Sequence, residues 1–294
     1  MRWPRSILAA VVVIAVGSIS ACGASRPVPP IEAPPGKSWN LIYDVNFDGS
    51  SLEESKLTPC FDWNYGDCTS TFNHGKEHYL PSQVRLSDGV AHLVAEPLDP
   101  AYNDSACFEG QCTYKSGLVS TARPDVSGKY LFTFTYGYVE ARMKLPRSPG
   151  MFSAFWMVPA VTDNKYNYEI DIMENLGGQP DLIHQTFQYD DRKSKYVVSD
   201  GQNTNGKCPM VDYSNDFHTY GVNWQPDHVA FYIDGTECGR FAATAARQIP
   251  NVPMQIIANL MVDNDWQRET GRLLPSQSTV DQLDIDYLRV WQAS

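Results

Sequence analysis

Polar and apolar side chains alternate along much of the chain. Residues 138–145 alternate in this way, and residues 84–94 contain two such runs on either side of Asp88 and Gly89, a strong hairpin signal. Residues 283–291 form another alternating run. Alternation with period two is typical of strands with one buried face, and no long helical period follows residue 22. The pattern predicts an all-β fold, an antiparallel β-sandwich.

The first 22 residues have the pattern of an export signal. Arg2 and Arg5 precede an apolar stretch at residues 7–16 that is too short to span a bilayer comfortably. The stretch ends in small residues before Cys22, which resembles the lipoprotein box of bacteria. We therefore expect an exported protein of the cell envelope, anchored to the membrane by a lipid on Cys22. The alternative is ordinary signal cleavage beside a chance cysteine, which would give a secreted protein.

Residues 23–38 contain five prolines and predict a semi-rigid, extended tether between the anchor and the domain. The β pattern begins at Trp39, so residues 39–294 are expected to form one β domain. A single all-β domain of this length is ordinary.

The chain is acidic, with 34 acidic against 23 basic residues and a formal charge of −11. Binding to a phosphate backbone needs clusters of Lys and Arg, and no basic run occurs after Arg5. Nucleic acid is therefore excluded as a partner.

Seven cysteines occur in the chain, and assigning Cys22 to lipid leaves an even number in an exported protein, which indicates disulfides. The sequence leaves the pairing open. Short separations favour one pair between Cys60 and Cys68 and another between Cys107 and Cys112. Cys208 and Cys238 would then form the third pair.

Three carboxylates lie within six residues, at Glu169, Asp171 and Glu174. On a strand Glu169 and Asp171 would share a face, while Ile170 would point into the core. Glu174 has the wrong parity to join them. One extra residue at Met173, a β-bulge, would turn it onto their face, and bulges are frequent beside active sites.

Acids crowded on one face are typical of glycoside chemistry. A retaining glycosidase needs two carboxyl groups about 5–5.5 Å apart, one as nucleophile and one as acid/base. Like charges in close contact raise at least one pKa, which would keep one Glu protonated. The alternative is an amphipathic strand with a solvated acidic face.

The Glu169-x-Asp171-x-x-Glu174 pattern resembles the signature of glycoside hydrolase family sixteen, in its laminarinase-like branch. Residues 134–146 and 149–157 also resemble that family, and the resemblance extends over residues 39–292. It implies a jelly roll with a concave substrate cleft and a retaining endo-β-1,3-glucanase that acts on a polysaccharide. We expect the protein to be a monomer. The resemblance also implies that Glu169 is the nucleophile, Glu174 the acid/base and Asp171 the residue that orders Glu169.

Three further residues are expected to bind substrate through the same resemblance: Trp156, Trp266 and Gln188. Core packing is the alternative for Trp156. The segment before Trp266 departs from the family pattern. Relatives commonly have His where this chain has Gln188, close to the acid/base, so Gln188 is expected to affect the pH optimum or the substrate preference.

Catalysis of this kind requires no cofactor, but the resemblance also implies a structural calcium ion. Its ligands would be Asn46, Gly89 and Asp286, since calcium takes oxygen ligands from backbone and carboxylates. The alternative for Asp286 is an exposed strand residue.

Two other functions stay open on the sequence alone: a transglycosylase that remodels an envelope polysaccharide, and a tethered sugar-binding module without catalysis. The acid triplet argues against the binding module. The identity of the polysaccharide also stays open, because Phe152 and Ser153 replace a common Trp-Pro pair of the family.

Overall fold

Two β-sheets pack face to face in the computed structural model. It describes residues 27–64, 68, 73–125, 128–160, 168–190, 197–203, 207–274, 276 and 278–294. The predicted signal segment and Cys22 lie outside these residues. The larger sheet has ten strands, and its main path runs through β14 (Thr236–Ala242), β13 (His228–Ile233), β12 (His218–Gln225), β7 (Gly137–Lys144), β16 (Asp281–Ala293), β4 (Val90–Asn103), β5 (Gln111–Ser116) and β2 (Glu77–Tyr79).

Two more strands join the larger sheet beside this path: β1 (Trp39–Asn46) pairs with β16, and β3 (Val84–Ser87) pairs with β4. The smaller sheet has six strands in the order β11 (Val197–Asn203), β10 (His184–Asp190), β9 (Glu169–Leu176), β8 (Met151–Pro159), β15 (Met254–Val262) and β6 (Leu118–Ser120). Every pairing is antiparallel except that of β2 with β5. The predicted all-β jelly roll is confirmed.

Helical structure among the described residues is short. It consists of α1 (Asp265–Thr270) and three 3₁₀ turns at Asp62–Asn64, Pro81–Gln83 and Phe108–Gly110. Helix α1 begins at a capping box, in which the Asn264 side chain accepts from the backbone N–H of Gln267 and the Gln267 side chain accepts from the backbone N–H of Asn264. None of the helices in these ranges is long and apolar enough to cross a bilayer.

The predicted hairpin at residues 84–94 is present as β3 and β4. Asp88 and Gly89 have φ values of 52° and 77°, the left-handed pair that a tight hairpin turn with the right twist requires. The same pair of conformations recurs at Asp234 and Gly235 between β13 and β14. The predicted hairpin is confirmed, and the hairpin of β13 and β14 has the same turn chemistry.

The main core lies between the two sheets. Strand β9 contributes Ile170, Ile172 and Met173, which have no exposed surface, and β7 contributes Val139 and Ala141. A second apolar cluster covers the opposite face of the six-stranded sheet, which we call the cleft face. Its buried members are Phe61, Tyr79, Leu118, Phe152, Ala154, Trp156, Leu176, Ile257 and Met261.

The outer face of the ten-stranded sheet is covered by the N-terminal segment. Trp291 Nε1 donates to the carbonyl of Pro27 (3.0 Å), and Trp39 Nε1 donates to the carbonyl of Ile31 (3.1 Å). Tyr138, on the outward side of β7, is fully buried in this cluster. The described part of the predicted tether, residues 27–38, therefore lies against the domain and does not extend away from it.

Three disulfides stabilise loops at the edges of the sandwich. They join Cys60 to Cys68, Cys107 to Cys112 and Cys208 to Cys238, with Cα–Cα distances of 4.5, 5.3 and 4.9 Å. These are the pairs that the sequence separations favour.

Candidate active site

A bulge in β9 places the third carboxylate on the cleft face. Met173 pairs with Phe155 of β8 and Asp171 with Trp156, so two consecutive residues of β9, Ile172 and Met173, lie opposite one residue of β8. The register of β10 shifts at the same place. Because both bulge side chains are apolar and enter the core, Glu174 turns to the side of Asp171. The predicted bulge is confirmed.

The neighbouring strands show that the three acids share a face. Glu174 pairs with Ala154 and Asp171 with Trp156, two positions apart on β8, and side chains two apart on a strand point the same way. On β10, Glu169 pairs with Gln188 and Asp171 with Thr186. The structure therefore brings together all three acids that the sequence predicts.

The surroundings of Glu174 favour its protonated form. Burial raises the pKa of Glu174 to about 8, and the charge of Glu169 contributes in the same direction. The crowding of like charges that the sequence predicts is thus the smaller cause, after loss of contact with water. At neutral pH Glu174 carries a proton that it can donate.

Asp171 and Glu169 share a hydrogen bond. Burial, followed by the charges of Glu174 and Glu169, raises the pKa of Asp171 well above its usual range. Burial also raises the pKa of Glu169, while the hydrogen bond with Asp171 lowers it. A protonated Asp171 that donates to Glu169 explains both directions, because hydrogen bonding to the charged form favours it. Glu169 is then the acid of the three best placed to ionise.

Gln188 lies beside Glu169, with which it pairs across the β9–β10 ladder. Its Nε2 donates to Glu169 Oε1 at 2.9 Å, and it also lowers the pKa of Asp171 by a hydrogen bond. The expected effect of Gln188 on the pH optimum or the substrate preference stays a prediction.

His184 is the residue of β10 that pairs with Glu174, and the sequence reasoning did not select it. The edge of its ring meets Trp266 at a centroid distance of 4.8 Å. Its Nε2 is buried without a hydrogen-bond partner among the described residues. Burial and the charge of Arg272 lower the pKa of His184. The sequence could have indicated that His184 lies on the cleft face, because His184 and Gln188 are four residues apart on one strand and so share a face.

The two tryptophans expected to bind substrate both contribute to the cleft face. Trp156 is only 7 % exposed, and its Nε1 donates to Asn259 Oδ1 at 2.8 Å. Trp266, on α1, packs its ring edge-on against Phe152 at 5.5 Å. Trp156 therefore combines the two alternatives: it lies beside the acids but is mostly packed. The sequence did not indicate Trp63 as part of this face. Its ring lies 6.0 Å from that of Trp156, and the residue is 38 % exposed.

Two of the three residues expected to bind calcium, Asp286 and Asn46, contact arginines. Asp286 Oδ2 forms an ion pair with Arg142 Nη1 at 2.7 Å, and Asn46 Oδ1 accepts from Arg289 Nη2 at 2.9 Å. Gly89 pairs with Phe47 near the end of β1. The positive charges of Arg142 and Arg289 beside these two oxygens disfavour a cation there, and the calcium site stays a prediction.

One other group of possible metal ligands occurs in the described part of the chain: His78, Asp104 and Cys112. Cys112 is in a disulfide with Cys107, so its sulfur is not a thiolate and cannot bind a metal in the usual way.

Comparison with known families matches residues 111–289 to the model of the glycosyl hydrolases family 16. The chain belongs to this family. It is 35% identical over 250 residues to a β-glucanase of Acetivibrio thermocellus, covering 84% of this chain and 60% of that protein. It is 28% identical over 283 residues to glucan endo-1,3-β-glucosidase A1 of Niallia circulans, covering 86% of this chain and 38% of that protein.

The chain thus spans less than two thirds of the length of these two relatives. Among solved structures, the endo-β-1,3-glucanase of Pyrococcus furiosus superposes with a TM-score of 0.70 at 25% identity, over 91% of this chain and 99% of that chain. The family 16 member described here therefore has the fold of a glucanase over nearly all of its described length.

Proposed function

We propose that this family 16 protein is a retaining endo-glycosidase that hydrolyses a β-1,3-linked glucan. The proposal rests on one observation: a bulge in β9 turns Glu174 onto the face that carries Glu169 and Asp171. An amphipathic strand with a solvated acidic face would not bury its carboxyl groups. Here burial raises the pKa of all three.

Two carboxyl groups with different protonation states support a two-step mechanism. Ionised Glu169 attacks the anomeric carbon, the bond to the glycosidic oxygen breaks, and Glu174 gives its proton to that oxygen. A water molecule then attacks the same carbon, Glu174 accepts its proton, and Glu169 leaves as a carboxylate. The hydrogen bonds from Asp171 and Gln188 stabilise the leaving carboxylate, so they contribute to the second step as well as to the resting state.

The choice of glucan is supported by the similar proteins. The relative from Niallia circulans is named a glucan endo-1,3-β-glucosidase, and the structure from Pyrococcus furiosus is that of an endo-β-1,3-glucanase. The relative from Acetivibrio thermocellus carries the broader name β-glucanase. A β-1,3-linked glucan is therefore the first substrate to test.

Incubating the purified protein with laminarin, lichenan, agarose and carrageenan tests the proposal directly. We expect short oligosaccharides from laminarin, read by mass spectrometry, and none from a folded Glu169→Gln variant. Products longer than an added oligosaccharide would instead support transglycosylation. Laminarin left intact by a folded wild-type protein would contradict the proposal.

We further propose that the protein is held at the membrane through Cys22 with its cleft facing outward. Residues 27–38 lie on the outer face of the ten-stranded sheet, opposite the cleft face, through contacts such as that of Trp291 with Pro27. Four residues lie between Cys22 and Pro27, and the five residue steps from one to the other can span at most about 18 Å. A lipid on Cys22 would therefore hold the ten-stranded sheet towards the bilayer.

Membrane fractionation of cells that express wild-type and Cys22→Ser proteins tests the anchor. We expect wild-type protein in the membrane fraction and the variant in the soluble exported fraction. A variant that stays on the membrane would refute anchoring through Cys22.

A further inference from the structure

The 3₁₀ turn Asp62–Asn64 presents a large aromatic ring beside Trp156 of the cleft face. Trp63 stacks on Phe61 with a centroid distance of 4.7 Å and an interplanar angle of 11°. Its ring lies 6.0 Å from that of Trp156, which pairs in register with Asp171. Phe61 is buried in the cleft-face cluster, whereas Trp63 is 38 % exposed. Trp63 is thus the exposed end of an aromatic row that leads outward from the acids.

Two kinds of contact fix the backbone of this turn in place. The disulfide between Cys60 and Cys68 closes the loop that contains Trp63. The hydroxyl of Ser120, on β6, donates to the carbonyl of Cys60 at 2.5 Å. The disulfide closes the loop on itself, and the Ser120 hydrogen bond ties it to the edge of the six-stranded sheet.

Asp62, the residue before Trp63, is also held in place by side-chain contacts. Asp62 accepts from Arg123 Nε at 2.7 Å and from the Tyr130 hydroxyl at 2.8 Å. The side chains of Asp62 and Arg123 are each only 11% exposed, so this ion pair is well shielded from solvent. An aromatic side chain on such a support loses little conformational entropy when a ligand binds, because most of that entropy is already lost.

We infer that Trp63 is a stacking platform for a sugar ring of the substrate that does not itself react. The inference rests on the proposed function and extends it to a residue that selects for chain length. A β-linked glucopyranose exposes axial C–H groups on its faces, and these pack on the flat face of an indole. Trp156 is too buried to offer such a face, whereas Trp63 offers more than a third of its surface.

Trp63 contacts a part of the substrate that does not react, so it binds the ground state and the transition state alike. Such uniform binding lowers KM and leaves the chemical step unchanged. Substrates too short to reach Trp63 gain nothing from it. The Trp63→Ala variant should therefore lose efficiency on long chains through KM.

Calorimetric titration in the Glu169→Gln background separates binding from turnover. With laminarihexaose as the probe, we expect about tenfold weaker binding when Trp63→Ala is added. Trp63→Phe should recover most of the hexaose affinity. The matched control is Trp39→Ala, which removes an indole from the opposite face and should leave hexaose binding unchanged.

Equal hexaose binding with and without Trp63, including no binding by either protein, would overturn the inference. If Trp63→Ala fails to fold, Trp63→Leu keeps an apolar cover over Phe61 without a flat ring, and the same titration decides. The proposed function is tested separately by laminarin cleavage in the wild-type protein. Cleavage with unchanged hexaose binding would reject the platform alone, whereas no cleavage with weakened binding would reject the hydrolase alone.

Discussion

Glu174 pairs with Ala154 while Asp171 pairs with Trp156, so a separation of three residues on β9 corresponds to two residues on β8. This one-residue mismatch converts an acid of the wrong parity into a neighbour of Asp171 and Glu169. The two residues that absorb it, Ile172 and Met173, are fully buried, which fixes the bulge through core packing. The proposed chemistry depends on this local irregularity more than on any other feature of the fold.

The first prediction concerns the pH dependence of activity. Glu174 must be protonated to act as the acid, and burial raises its pKa to about 8. We expect kcat/KM on laminarin to fall as the pH rises through about 8, because the acid loses its proton. A pH profile from 4 to 10, measured at constant ionic strength, checks this. An alkaline limb that persists unchanged in the residual activity of Glu174→Gln would assign it to another group.

The second prediction is that Glu174→Gln stabilises the folded protein at alkaline pH. The pKa of Glu174 is higher in the folded than in the unfolded state, so its contribution is full below its ordinary pKa and is lost as the pH rises through about 8. Gln cannot ionise, so the free energy of unfolding at pH 9 should be about 1–3 kcal/mol higher for Glu174→Gln than for the wild type. Denaturant titration at pH 9 measures this difference. At pH 4 the two proteins should be nearly equal. A variant less stable than wild type at pH 9 would contradict the assigned burial of charge.

The third prediction separates two possible roles of Asp171. If protonated Asp171 orders Glu169 by donating a hydrogen bond, the amide of Asn can replace that donation. We expect Asp171→Asn to lose about tenfold in kcat and Asp171→Ala about a hundredfold or more. Steady-state kinetics on laminarin distinguish the two. Equal losses in both variants would show that the carboxyl itself, and not its donated hydrogen bond, is required.

The fourth prediction concerns the metal. Because Arg142 contacts Asp286 and Arg289 contacts Asn46, we expect a chelator to leave both the melting temperature and the activity unchanged. Differential scanning calorimetry before and after treatment with a chelator tests this. A lower melting temperature that recovers on adding Ca²⁺ would restore the calcium prediction from sequence.

Much of the fold and the acid triplet could be predicted because their signals are local. Asp88-Gly89 determines its hairpin turn. Ile172 and Met173 are both apolar, which is consistent with a bulge that buries both and turns Glu174 onto the cleft face. Other parts depend on contacts between distant segments. The contact of Gln188 with Glu169 could not be predicted, because cross-strand register is not visible in one strand.

Two further features could not be predicted for the same reason. Trp63 carries no local pattern, and only the packing of residues 60–64 beside Trp156 reveals its place. Proline content indicates that residues 27–38 are extended, but it does not show that they lie on Trp291.

Trapping of the glycosyl-enzyme decides which carboxylate is the nucleophile. The wild-type protein would be treated with an activated 2-fluoro laminaribioside, digested and sequenced by mass spectrometry. We expect one covalent sugar, attached to Glu169, with no adduct in Glu169→Gln. An adduct on Glu174, or hydrolysis of laminarin with inversion of the anomeric configuration, would contradict it.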